Sequence, residues 1–264
     1  MSEASATLST PTNDPGLNAL RGALVADAVA MPVHWYYDRE ALDRDYGPIT
    51  GYVAPKSPHA DSILWRSSYT PLNDKGDILR EQAQYWGKRG IHYHQFLEAG
   101  ENTLNFQLAL ALAELVRRNR DYNPERWLDE YVAFMLTPGK HRDTYVEEYH
   151  RHFFTNLASG RKPINCGVKD VHIGGLAMVP ALVAALGPRH PDLRRIVRVH
   201  VGLTHKDDEV LLAADALTRI LVRVAAGDDL REAILEQGSD WISAAKLRDW
   251  DKQPDRTVVG RLLS

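Results

Sequence analysis

Apolar residues along this chain recur mainly at helical spacing. Leu104, Leu108, Leu112, Leu115 and Val116 lie on one face of a helix and predict an amphipathic element from Thr103 to about Arg118. A second stripe, Val210, Leu211, Ala214, Leu217, Leu221 and Val222, follows the first-turn acids Asp207 and Asp208 and stops before Gly227. Shorter helices are predicted over 17–30, 124–136, 145–158, 174–186, 193–201, 229–237 and 241–250. Pro124 and Pro191 stand at or near first turns, and Gly160, Gly187 and Gly227 follow helix ends. No sustained alternation, Asn-Gly hairpin or fixed-period repeat interrupts this pattern, so the fold class read from it is all-α.

Residues 1–15 are polar and rich in Ser, Thr and Pro, without the basic and apolar regions of a signal peptide. They read as a disordered tail ahead of a single domain over 16–264. Residues 46–90 form a long connection holding Pro48, Pro55, Pro58 and Pro71. Tyr52, Trp65, Tyr69, Tyr85 and Trp86 predict that this segment packs against the body of the protein. The 32 Lys and Arg against 35 Asp and Glu give a net charge of −3, which argues against nucleic acid as a partner. The longest apolar stretches, 109–115 and 176–186, fall short of the roughly 20 residues a membrane span needs. Cys166 stands alone and reads as a buried structural thiol in a reducing, cytoplasmic setting.

Several clusters could carry chemistry. Asp27 interrupts a helix of small apolar residues; it is either an exposed position or, if buried, a carboxylate that needs a partner or a metal. Gly100, Glu101, Asn102 and Thr103 precede the strongest helix as an N-terminal cap, and the side chains of Glu101, Asn102 and Thr103 can also serve as hard oxygen ligands for Mg²⁺. His92 and His94, with Glu98, have the spacing of a cupin metal site but lack the short alternating strands such a site requires. Asp170, His172, Gly174 and Gly175 open an apolar helix; the glycines permit either close helix packing or approach of a phosphate. Thr204 or His205 is expected to cap the helix that follows. His141, His150 and His152, with Arg142 and Arg151, read as a solvated face able to meet an anion.

In their order along the chain, four of these segments resemble the ADP-ribosylglycohydrolase family. Arg21-Gly22 through Asp27 to Pro32-Val33 is similar to its first-helix motif, and Gly100–Thr103 with Leu108–Glu114 to its metal-binding turn and helix. Gly174–Leu186 is similar to its glycine-rich helix, and Leu203-Thr204-His205 to its Leu-Thr-His segment. The resemblance covers about 17–227 and implies an orthogonal multi-helix bundle. It also implies Mg²⁺-assisted hydrolysis of a glycosidic bond of ADP-ribose, the substrate being an ADP-ribosylated protein or small molecule. Glu101, Asn102 and Thr103 then match metal ligands, Glu101 and Asp27 the catalytic acids, and His172, Gly174 and Gly175 the diphosphate contacts.

This chain departs from the pattern at Gly100, Glu101 and Asn102, which stand where the family has Thr, Asp and Asp. The resemblance also implies a second cluster, Gly-Gly-Asp-x-Asp, which the sequence reaches Arg261–Ser264 without showing. Two expectations follow. In one, a second polypeptide supplies the remaining ligands of an active hydrolase. In the other, the chain is a catalytically impaired relative that binds an ADP-ribose-like nucleotide or serves structurally, as the family's crystallins do.

Overall fold

The computed structural model describes residues 14–245. Nine α-helices account for half of them: α1 Pro15–Ala30, α2 Arg39–Asp45, α3 Leu104–Asn119, α4 Pro124–Leu136, α5 Glu148–Ala158, α6 Met178–Leu186, α7 Leu193–Gly202, α8 Asp208–Ala225 and α9 Leu230–Ala245. Among the described residues there is no strand, only an isolated bridge between Val168 and His205. None of the described helices is long and apolar enough to cross a membrane. The architecture is the all-α bundle that the periodicity predicts.

The core is built around α3 and α6. Leu104, Leu108, Leu112, Leu115 and Val116 of α3 are buried, as the spacing predicts. Met178 to Val183 of α6 are buried on every side, which an apolar helix without a polar face requires. Helix α6 packs on α3, α1 and α8, and α8 in turn meets α7 and α9. Aromatic side chains of α4 and α5, among them Trp127, Tyr131, Phe153 and Phe154, complete the same core.

Helix starts follow local cap chemistry. Asp14 Oδ1 accepts from Leu17 N, Asp38 Oδ1 from Ala41 N and Asn123 Oδ1 from Arg126 N. Asp14 and Pro15 therefore belong to α1, two residues inside the tail expected over 1–15; the rest of that tail lies outside the described residues. At α8 the cap is Asp207, whose Oδ1 accepts from Glu209 N and Val210 N, in place of the expected Thr204 or His205. Thr204 and His205 are instead held by the bridge to Val168.

Other boundaries move because tertiary contacts intervene. The helix expected from 145 begins at Glu148, since Tyr145 N donates to Tyr93 O and Glu147 is extended. The one expected from 174 opens as a 3₁₀ turn, Ile173–Ala177, before α6. The elements expected over 229–237 and 241–250 are one helix through Ala245, and 246–250 lies outside the described residues. The short helix α2 carries too little apolar periodicity to be predicted.

The 46–90 segment has no α-helix but packs through three 3₁₀ turns, with Leu64, Ile78 and Leu79 buried. Tyr69 Oη donates to Gly76 O, and Trp86 Nε1 to Thr144 O. Tyr52 departs from the expected packing and is exposed. Cys166 is fully buried, and burial pushes its thiol up.

Leu112 is fully enclosed in this core. Leu112→Ala is expected to lower unfolding stability by about 2–5 kcal/mol, measured by urea denaturation. A loss below about 1 kcal/mol would contradict the central place given to α3.

Candidate active site

A cavity of about 650 Å³ opens between α1, the start of α3, the 143–147 stretch and the turn Ile173–Ala177. Its size suits a small-molecule ligand. Asp27, His34, Trp35, Asp143, Glu147 and Gly174 are among the residues that line it.

The wall nearest α3 follows from an unmet need of that helix. Its N-cap, Thr103, makes no capping bond with its own side chain, so the first N–H groups need acceptors from elsewhere. Asp27, buried on α1, accepts from Thr103 N at 2.8 Å and Asn102 Nδ2 at 2.9 Å through Oδ2, and from Thr103 Oγ1 at 2.8 Å through Oδ1. Asp143 Oδ2 accepts from Leu104 N at 2.8 Å. Two carboxylates thus sit at the positive end of the helix dipole. Burial raises the Asp27 carboxyl above the ordinary range, against the opposing effect of the Asn102 and Thr103 hydrogen bonds.

The other oxygen of Asp143 holds His94 Nδ1 in a short hydrogen bond. His94 Nε2 lies 2.9 Å from His34 Nδ1. The neighbouring imidazoles are spent on the backbone, His92 Nε2 on Pro32 O and His59 Nε2 on His34 O. Burial holds His34 down at about 4 and His92 at about 3, so both rings are neutral at pH 7. Trp35 follows His34 with φ +59°, a left-handed conformation unusual for a bulky residue. Its ring stacks on His94 and meets Tyr93 and Tyr145 edge-on.

Glu147 supplies the third carboxyl of the cavity. The residue is half-buried, but its Oε2 is closed to solvent and has no hydrogen-bond partner. Burial pushes this carboxyl up, with a hydrogen bond from Asn105 acting the other way. A Cβ on Gly174 would collide with Glu147 Oε2 and come within 2.9 Å of Tyr149 Cε1, so these side chains would have to shift. A Cβ on Gly175 would come within 2.7 Å of His205 Nδ1. Both glycines therefore serve close packing.

The structure disperses the expected metal cluster. Glu101 lies outside the cavity, its side chain 37% exposed and paired with Arg142, and its Oε2 accepts from Glu98 N. Asn102 Nδ2 is shared between Leu24 O and Asp27, and only Thr103 of the three borders the cavity. Glu101, Asn102 and Thr103 so arranged do not fit a Mg²⁺ ion, which needs convergent oxygens. Among the described residues no group of three or more His, Cys, Asp or Glu is arranged to hold a metal. That includes the cupin-like pair, since His92 and His94 are committed to Pro32 and Asp143.

Asp27 is in the cavity wall, as is Gly174. Gly175 faces a small void on the far side of the 3₁₀ turn, and His172 is exposed, with Nδ1 2.8 Å from Asp170 Oδ1. His34, His94, Asp143 and Glu147 are brought together only by the fold. Their signal in the sequence is weak: His94 is read for another motif, His34 is given no role, and the two acids lie in irregular stretches.

The sequence profile of the ADP-ribosylglycohydrolase family matches residues 9–262. A solved structure described as an ADP-ribosylglycohydrolase-related protein complex is 20% identical and aligns over 88% of this chain with a TM-score of 0.54. This chain spans 63% of that relative's length, and the likeness is one of fold. No curated protein matches.

Glu147 offers a test of the site's electrostatics. With its folded-state pKa raised above the unfolded value, it favours the folded state below the usual glutamate range, and that contribution is lost as pH rises through the raised pKa. Glu147→Gln is therefore expected to become more stable relative to wild type between pH 4 and pH 8, a range set about the ordinary pKa of roughly 4.3. Denaturant midpoints across that range measure the difference, and a constant difference would contradict burial of the charge.

Proposed function

Because the chain belongs to the ADP-ribosylglycohydrolase family, we propose that its cavity takes an ADP-ribosyl substrate and hydrolyses the bond between ribose and its acceptor. The observation that carries this reading is Glu147, a buried carboxyl with a free oxygen on the cavity wall. A carboxyl that keeps its proton above the ordinary range is suited to general acid catalysis. Glu147 protonates the departing acceptor, while the Asp27 and Asp143 carboxylates stabilise positive charge developing at the anomeric carbon.

Among the described residues, no Lys or Arg lines the cavity. The ribose and acceptor accordingly belong inside, and the diphosphate at the mouth, on the side of Gly174 and the exposed His172. No step is assigned to Mg²⁺, because Glu101, Asn102 and Thr103 do not converge. A lone buried Cys166 suits a reducing compartment, and we place the activity in the cytoplasm.

A second reading, ligand binding without turnover, draws on two observations. Arg142 occupies the Glu101 carboxylate, and Asp27 is committed to capping α3. A second polypeptide that completes a metal set would make binding depend on Mg²⁺.

Isothermal titration with ADP-ribose, with Mg²⁺ and then with chelator, is expected to show binding in both conditions. Binding lost on chelation would restore a metal-centred reading, and no binding in either would overturn the proposal. Release of ADP-ribose from a panel of N- and O-linked ADP-ribosyl compounds is expected to fall about 10²–10⁴-fold in Glu147→Gln, with ADP-ribose affinity retained. Wild-type binding without any release would favour the second reading.

A further inference from the structure

We propose that Asp143, His94 and His34 form a proton relay in which His34 is the base that activates water in this cavity. The proposal rests on the hydrolase reading for the identity of the reaction, but the relay itself is read from hydrogen-bond geometry. Its members come from three separated segments, and all three border the cavity.

The relay assigns one set of proton positions. Asp143 Oδ1 accepts, so His94 Nδ1 carries its proton. In a neutral His94 the Nε2 is then an acceptor, and His34 Nδ1 donates across the 2.9 Å contact. His34 Nε2 is left with a lone pair, and none of the described residues gives it a partner. Burial keeps that nitrogen unprotonated at neutral pH.

The surroundings fix the array at both ends. Leu104 N anchors Asp143 Oδ2, and the His34 carbonyl accepts from His59 Nε2. The left-handed backbone of Trp35 comes directly after His34. Strained residues of this kind concentrate at functional sites, where the surroundings over-determine them. A relay serving packing alone would have no need to end on a free nitrogen in the wall of a cavity.

The step balances. A water oxygen forms the new bond to the anomeric carbon and gives its proton to His34 Nε2. The glycosidic bond breaks, its electron pair leaves with the acceptor, and the acceptor takes the Glu147 proton. The His34 imidazolium is stabilised through His94 by Asp143, and exchange with solvent returns one proton to Glu147 and removes one from His34.

Two measurements on the full chain test this. Long-range ¹H–¹⁵N spectra of ¹⁵N-histidine-labelled protein are expected to show both His34 and His94 protonated at Nδ1. A proton on His34 Nε2 would overturn the relay. His34→Ala is expected to lose about 10²–10⁴-fold in kcat, with KM and ADP-ribose affinity near wild type and activity restored in part by added imidazole. Wild-type turnover with an unimpaired His34→Ala would overturn the base while leaving the hydrolase reading intact. A wild-type chain that cleaves no ADP-ribosyl compound would end the hydrolase reading, and the base with it, whatever the tautomers show.

Discussion

Helix α3 starts at the centre of the protein with backbone N–H groups that its own residues do not satisfy. Its partners are Asp27, from α1, and Asp143, from the stretch ahead of α5. Unpaired buried N–H groups are costly, so this requirement draws three distant parts of the chain to one point. The cavity forms at that point. Asp27 and Asp143 border it because the helix end borders it, and Asp143 has a second oxygen left over to orient His94.

The same burial that makes the site reactive makes it costly. Desolvation raises Asp27 and Glu147 and lowers His34, each in the direction that disfavours charge. Asp27 recovers part of this through three hydrogen bonds, whereas Glu147 Oε2 recovers none. A buried polar atom left without a partner suits a group whose partner is a ligand. Gly174 belongs to the same arrangement, since a Cβ there would force that carboxyl to shift.

The residues of the turn before α3 are taken up by structural contacts. Asn102 acts as a donor, bridging Leu24 O and Asp27. Glu101 faces Arg142 at the surface, where an ion pair contributes little to stability. The turn before α3 is thereby a structural joint that ties α1 to α3. Glu147 and the imidazoles of His34 and His94, not Glu101, line the cavity.

The elements legible in the sequence are those with a local cause. The stripe of α3, the apolar α6, the Pro124 start of α4 and the first-turn acids of α8 all depend on residues within a few positions of one another. Asp27 and the glycines at 174 and 175 were also legible as positions of interest, because a charge among alanines and a glycine pair break the pattern. Their partners were not. Asp27 meets Thr103 across 76 residues, His34 meets His94 across 60, and His94 meets Asp143 across 49. No periodicity carries such separations, since helical spacing encodes only which face is buried. The sequence by itself determined the longer helices, their buried faces and the family the chain belongs to. The tertiary structure decided that Glu101 points away from the cavity and that Glu147 and the Asp143–His94–His34 array line it, because only packing sets which side chains lose water and which neighbours replace it.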